Sequence, residues 1–268
     1  MEQKLTGIPE TMLIPLWARA VESEREKPII RDPKAVEMIS RIDYDFSKFE
    51  KSWGSQVGVS VRTMLLDNAA LAFVQQNPGA VVINLGSGLD TRYERLKDEE
   101  ISFWYDLDVP EAIELRRIFL TEGKKNRFIA KSAFDPSWME DIDCSTRSIL
   151  IIAEGLLMFF SEGEVKQLFQ QLASHFSGAE MLFEMLAPFV VGKSKRHDSL
   201  SKLETAVEFK WGLRDSREIE SWDERIQFIE EWNYFDYHKN RWKWLGYLGR
   251  FPLIRPMISN RIVHLRFS

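Results

Sequence analysis

Apolar residues along this chain alternate between two rhythms: short unbroken runs, and stripes with a spacing of three or four. The first reads as buried strand and the second as amphipathic helix. Val61–Gln76 is helix-like, with Ser60 as its expected cap and Pro78-Gly79 as its stop. Ala80–Leu85, AVVINL, is a β-branched run that reads as a buried strand. Ile101–Leu107 is a second strand, and Pro110 then stands where a first-turn proline belongs, opening a helix that runs toward Gly123. Arg127–Lys131, Ser148–Glu154 and Glu180–Leu186 read as the third, fourth and fifth strands. Between the last two, Ser161-Glu162-Gly163-Glu164 has the S-x-x-E form of a capping box. Val165, Leu168, Phe169, Leu172, Ala173 and Phe176 follow it on one helical face. Ile226–Glu230 and Arg261–Phe267 complete the strands.

This alternation predicts an α/β fold, a mainly parallel sheet covered on both faces, in a single domain over 1–268. Right-handed crossovers place the ligand crevice at the carboxyl ends of the strands. Residues 1–59 and about 188–225 fall outside the alternation and are expected to form helical caps over that crevice.

Composition narrows the partners. Lysine and arginine number 36 against 41 aspartate and glutamate, for a formal net charge of −5. That balance argues against a generic binder of nucleic acid or anionic membrane, while leaving room for a local basic patch. The single cysteine, Cys144, permits neither an internal disulfide nor a cysteine-rich zinc site, and it follows an acidic stretch that disfavours a thiolate. The start of the chain has no apolar core of a secretory signal. The longest apolar run, Ser148–Phe160, contains Glu154 and is too short to span a bilayer. A soluble, cytoplasmic protein is expected.

The sharpest motif is Asn84-Leu85-Gly86-Ser87-Gly88-Leu89-Asp90-Thr91-Arg92, directly after the first strong strand. Two glycines there let the backbone turn tightly and approach a ligand; the competing reading is a plain strand-to-helix turn. Thr91 stands where a dinucleotide fingerprint would have its third glycine. Asp106 and Asp108 end the second strand, and Asp108 lies about 20 residues beyond the loop, the spacing of a carboxylate that accepts from a ribose diol. Either acid could instead cap the following helix. Loop and acid together point to a nucleoside cofactor, NAD(P) or S-adenosylmethionine. Asp90 and Arg92 are placed to pair; Arg92 serves either to brace the loop or to touch the ligand.

NLGSGLDTR, YDLDVPEAIELRR and LIIAEGLLMFFSEGEV, in this order, resemble the leucine carboxyl methyltransferase family, and within it the bacterial tetracenomycin-type polyketide O-methyltransferases. The resemblance runs from about Pro9 to the C-terminus. It implies a class I, Rossmann-like methyltransferase that uses S-adenosylmethionine, with a seven-stranded sheet whose last strand is antiparallel. On that basis Gly86, Ser87 and Gly88 pass beneath the methionine part of the cofactor and Asp108 takes the ribose hydroxyls. Glu154 faces the amino group and the reaction centre, and Arg62 takes the carboxylate. Ala133 and Phe134 lie near the adenine, although Ser132-Ala133-Phe134 replaces the Asp-Leu pair often found there. An arginine and a carboxylate independently suit the cofactor's carboxylate and ammonium.

A carboxylate acceptor needs no base, whereas a hydroxyl benefits from one. His197 is the most suggestive histidine for that task; a solvated histidine among charges is the competing reading. His175 reads as a helix end and His264 as part of the final strand. Trp211, Trp222, Trp232, Trp242 and Trp244 crowd the C-terminal third and suit either an aromatic acceptor pocket or ordinary packing. No metal-ligating motif and no G-x-S-x-G elbow occurs. The expected activity is O-methylation of a hydroxyl or carboxylate on a polyketide-like or other small molecule. The alternatives are a protein C-terminal carboxyl methyltransferase, an NAD(P)-dependent oxidoreductase and a catalytically silent interaction module.

Overall fold

A computed structural model describes residues 8–144, 148–194, 197–203, 207–251 and 253–268. Helices α1 (Ile8–Thr11), α2 (Leu13–Ser23), α3 (Pro33–Arg41) and α4 (Trp53–Gln76) precede the sheet. Then follow β1 (Ala80–Leu85), α5 (Arg92–Leu96), β2 (Ile101–Asp108), α6 (Pro110–Phe119), β3 (Asn126–Ala130), β4 (Ile149–Ala153), α7 (Glu162–His175) and β5 (Glu180–Met185). The chain ends with β6 (Ile226–Asn233), α8 (Leu245–Leu248), α9 (Arg255–Ile258) and β7 (Arg261–Phe267).

The strands form one seven-stranded sheet in the order β3-β2-β1-β4-β5-β7-β6. The β1–β2, β2–β3, β1–β4 and β4–β5 pairs are parallel, and β7 runs antiparallel to both β5 and β6. The strand alternation sorts side chains to two cores. On one face Val81, Ile83, Ile151 and Phe183 pack beneath Phe169 and Leu172 of α7. On the other Val82, Leu150, Ile152 and Leu182 pack against Val61, Leu65 and Leu66 of α4. The chain order reverses between β1 and β4, so a crevice opens at their carboxyl ends.

Several local expectations are met. Pro110 occupies the first turn of α6. Ser161 and Glu164 make the reciprocal capping box of α7, and the whole predicted apolar face of that helix is buried. Others need correction. The helix predicted from Val61 begins at Trp53; Ser60 is no cap but lies buried inside it, its Oγ donating to the Gln56 carbonyl at 2.7 Å. The intervening Val57, Gly58 and Val59 read poorly as helix, yet Val57 has a core to fill. Helix α4 is long and apolar enough to cross a bilayer, but 61% of its apolar window is buried within the fold, so its hydropathy reflects the core. The 188–225 segment is not α-helical among its described residues; it has 3₁₀ turns at Pro188–Val190, Leu200–Lys202 and Ser216–Trp222. Its polar side chains bond the local backbone instead, as Asp215 does to the Arg217 amide.

Phe169 is fully buried between the Phe183 and Trp222 rings. Phe169→Ala should lower unfolding free energy by about 3–5 kcal/mol in urea titration. A loss below about 1 kcal/mol would mean that α7 does not hold this face of the sheet.

Candidate functional site

The crevice is built on the β1–α5 loop. Gly86 has φ +65° and Gly88 φ +43°, the left-handed region that glycine enters without Cβ strain. Space excludes a side chain as well: a Cβ on Gly86 would lie 2.8 Å from Leu156 Cδ1, and one on Gly88 2.8 Å from Met12 Sδ. The Ser87 amide donates to the Leu107 carbonyl at 3.0 Å, while its Oγ is buried without a partner among the described residues.

The two β2 carboxylates separate cleanly. Asp106 is wholly buried and accepts from Asn84 Nδ2 and Trp104 Nε1, both at 3.0 Å, and from Arg116 Nη2 at 2.7 Å. Its hydrogen-bonding capacity is consumed inside the protein. Asp108 is only half-buried at the strand end; it accepts from the Gly88 amide at 2.7 Å and the Val109 amide at 2.8 Å. Burial raises the Asp108 pKa above the ordinary carboxylate value, and the two amides offset part of that.

Glu154, just beyond β4, belongs to a buried ionic network. Arg62 Nε donates to Glu154 Oε1 at 2.8 Å, and Arg62 Nη1 to Glu184 Oε2 at 2.7 Å. Arg92 Nη2 reaches Glu154 Oε2 at 2.5 Å, its Nη1 Asp90 at 2.8 Å and its Nε Asp67 at 2.7 Å. Arg92 has no exposed side-chain surface, which settles it as the brace of the loop. Arg95 joins Asp67 to Asp32, and Asp32 accepts from Arg19 at 2.9 Å. The network therefore runs from the N-terminal helices, beneath the glycine loop, to the ends of β4 and β5. Burial alone would raise the Glu154 and Asp90 pKa values, but facing arginines (Arg62 and Arg92 for Glu154, Arg92 and Arg95 for Asp90) hold both below the ordinary carboxylate range. Burial alone would likewise lower the Arg62 pKa, and Glu184 and Glu154 raise it instead.

One cavity of about 730 Å³ opens over the loop. Gly86, Ser87, Gly88, Arg62 and Glu154 line one part of it. Trp53, Phe159, Phe189, Phe209, Trp242 and Trp244 line another. His197 is also on the wall. It is not simply a solvated histidine: its side chain is one-third exposed, its ring meets Phe209 edge-on at 5.6 Å, and Nδ1 lies 3.2 Å from Ser199 Oγ. Burial lowers its pKa below the ordinary imidazole value, opposed by Asp198. Asp108, Ala133 and Phe134 lie outside the cavity walls. The Ala133 carbonyl accepts from Trp138 Nε1 at 3.1 Å, and the Phe134 ring sits 4.2 Å from that of Phe160. Of the five C-terminal tryptophans, Trp242 and Trp244 reach the cavity, Trp211 and Trp222 pack in the core, and Trp232 stacks on His264. No cluster able to hold a metal ion occurs among the described residues.

Sequence reasoning missed Arg116, whose Nη1 donates to the Gly88 carbonyl at 3.0 Å and the Asp90 carbonyl at 2.7 Å. The available signal was a charge at a core position, since Ala112, Ile113, Arg116 and Phe119 share the buried stripe of α6. Arg19, which donates to the Leu89 carbonyl at 2.8 Å, and Glu184, which accepts from the Tyr234 hydroxyl at 2.9 Å, were missed for the same reason.

Arg92→Leu removes the buried cation that Asp67, Asp90 and Glu154 share, leaving them only Arg95 and Arg62, and should cost about 3–5 kcal/mol of stability, with Arg92→Lys restoring only part because an ammonium cannot span three partners. Chemical denaturation of both variants checks this; equal stability of wild type and Arg92→Leu would remove the network's structural role.

Comparison with known proteins agrees with this geometry. Residues 12–173 match the leucine carboxyl methyltransferase family. The chain is 32% identical over 233 residues to the tetracenomycin polyketide synthesis O-methyltransferase TcmP of Streptomyces glaucescens, covering 87% of this chain and 85% of that protein. It is 31% identical to the S-adenosyl-L-methionine-dependent methyltransferase dpfgK of Gibberella zeae, covering 81% of this chain and 79% of that one. Among solved structures, a SAM-dependent methyltransferase from Anabaena variabilis shares the fold at TM-score 0.53 and 14% identity, covering 83% of this chain and 94% of that one. The chain belongs to the leucine carboxyl methyltransferase family and has the fold of S-adenosylmethionine-dependent methyltransferases.

Proposed function

We propose that this protein transfers the methyl group of S-adenosylmethionine to an oxygen, hydroxyl or carboxylate, of a small planar organic acceptor of polyketide-like chemistry. The observation that carries this is one continuous cavity that joins the glycine loop and Glu154 to a wall of aromatic rings. Its volume suits a small organic ligand, and flat aromatic walls favour a planar one. The names of the relatives in Streptomyces and Gibberella support the same reading. The lone Cys144 suits a cytoplasmic setting.

The chain's residues suit the cofactor. The Ser87 hydroxyl is buried with no partner among the described residues, Gly86 and Gly88 line the cavity, and Asp108 holds a partly exposed carboxylate at the end of β2. In this reading Gly86, Ser87 and Gly88 lie under the methionine part and Asp108 accepts from the ribose hydroxyls. Glu154 offers negative charge to the ammonium. Arg62 has two of its nitrogens engaged by Glu154 and Glu184, so its remaining Nη2 serves the carboxylate. Ala133 and Phe134 serve the adenine side, beyond the cavity.

The bound cofactor supplies a methyl group already activated by its sulfonium. The protein's part is to align the acceptor oxygen, exclude water and manage one proton. The aromatic walls do the first two. For a hydroxyl acceptor the proton passes to His197 Nε2, whose lowered pKa keeps the ring neutral and able to accept it near pH 7. A carboxylate acceptor carries no proton to remove.

Asp108→Ala should weaken S-adenosylhomocysteine binding by about 1.5–3 kcal/mol in calorimetry, through lost charge-assisted bonds. Unchanged affinity in a folded variant would take the ribose away from Asp108. An isotopic methyl-transfer screen should label hydroxylated or carboxylated aromatic acceptors; label appearing only on peptide C-termini would overturn the small-molecule reading. With a hydroxyl acceptor, His197→Ala should lower kcat by about 10²-fold. The wild-type rate should rise with pH through an apparent pKa below the ordinary histidine value of about 6.5 and then level off. A wild-type profile flat across that range, with kcat unchanged in the variant, would exclude His197 as the base.

A further inference from the structure

Net charge hides a marked asymmetry. Residues 237–268 contain seven lysines and arginines and no aspartate or glutamate, in a chain whose overall charge is −5. Within this stretch Arg241, Arg255, Arg261 and Arg266 are paired with carboxylates elsewhere in the fold. Lys239, Lys243 and Arg250 are exposed and have no carboxylate partner among the described residues. Lys243 and Arg250 lie instead over the Trp53 and Tyr247 rings.

The same stretch carries most of the large apolar side chains that the protein leaves in water. Trp244, Tyr247, Phe251, Leu253, Ile254 and Met257 are all exposed, Tyr247 at 64% and Leu253 at 80%. Frayed chain would not be held this closely to the fold. Gly249 packs so tightly on Phe235 that a Cβ would come within 2.5 Å of its ring, and Trp242 is buried, its Nε1 donating to the Tyr237 carbonyl at 3.0 Å. An anchored segment therefore displays aromatic and aliphatic side chains among unpaired cations. Soluble surfaces avoid such contiguous apolar display, whereas elements seated in a bilayer interface combine it with lysine and arginine.

We propose that residues 239–251 and 253–258 dock on an anionic lipid surface, with Trp244, Tyr247, Phe251 and Leu253 entering the headgroup region and Lys239, Lys243 and Arg250 facing the lipid charge. Complementarity favours this occupant over a second copy of the chain. A two-fold contact through the patch would bring together two copies of a segment that has three unpaired cations and no acid of its own. The acidic remainder of the protein is repelled by the same lipid and so orients the patch toward it. Trp244, Leu245 and Ile258 also line the cavity, so docking would bring its mouth to the bilayer, where an apolar acceptor concentrates. That last consequence rests on the proposed function; docking itself does not.

The test is co-sedimentation of the intact protein with phosphatidylcholine vesicles and with mixed phosphatidylcholine–phosphatidylglycerol vesicles. Binding should appear with the mixed vesicles alone and weaken in high salt. Leu253→Glu and Phe251→Glu should each reduce the partition coefficient by about tenfold or more. Neither residue lines the cavity, so both variants should keep the wild-type unfolding midpoint and S-adenosylhomocysteine affinity. Brominated lipid should quench tryptophan emission, and Trp244→Phe should remove part of that quenching. The proposal is overturned if the wild type stays in solution with anionic vesicles, or if the two glutamate variants sediment as well as the wild type. It is also overturned if light scattering finds a dimer that Leu253→Glu dissociates, which would make the patch an interface between copies.

Discussion

The site depends on the pairing of Glu154 with two arginines. Glu154 lies at the end of β4, Arg62 on α4 and Arg92 at the start of α5, so one carboxylate ties together three elements that meet at the crevice. Each of these charges would be costly to bury alone, and each is tolerable because the others are fixed around it. The same condition propagates outward through Asp67, Arg95, Asp32 and Arg19 to the N-terminal helices. The glycine loop lies over this lattice, and Arg19 and Arg116 grip its Leu89, Gly88 and Asp90 carbonyls. These internal bonds fix the shape of the loop, and a fixed loop lowers the ordering cost of binding.

The sheet supplies what the network needs. Because β1 lies between β2 and β4, the glycine loop and Asp108 come together on one side and Glu154 on the other. The strands between them are buried on both faces, so their ends are rigid supports. The 188–225 stretch and the region after β6, which with the N-terminal helices complete the cavity, are less regular and carry much of its aromatic wall. On the proposed reading, this puts a regular framework at the cofactor end and less regular segments at the acceptor end, an arrangement in which one fold can accept different substrates.

The strands and the α6 and α7 helices were legible in the sequence because their signals are local: Ala80 to Ile83 are apolar without interruption, three of the four β-branched, and Ser161 and Glu164 cap a helix whose apolar face follows at once. The start of α4 was not, because Ser60 looks like a cap when only its neighbours are considered, and the core that holds Val57 is made by distant strands. That the glycine loop and Asp108 meet was legible from spacing, and the Gly88 amide donates to Asp108. The partnership of Arg62 with Glu154 was not, although each had been singled out, since 92 residues separate them. Arg116 and Glu184 escaped notice because a charged residue inside an apolar stripe declares that it is buried but not what it is paired with. The charge balance likewise concealed a basic C-terminal stretch, because a sum over the chain has no position.

The central claim is that the loop, the network and Asp108 together form an S-adenosylmethionine site. Calorimetric titration of S-adenosylhomocysteine into the intact protein, with NADH as the control, tests it most directly. The account predicts one site per chain with a dissociation constant on the order of micromolar, and no heat from NADH. A folded protein that gives no heat with S-adenosylhomocysteine, or that binds NADH in its place, would contradict it.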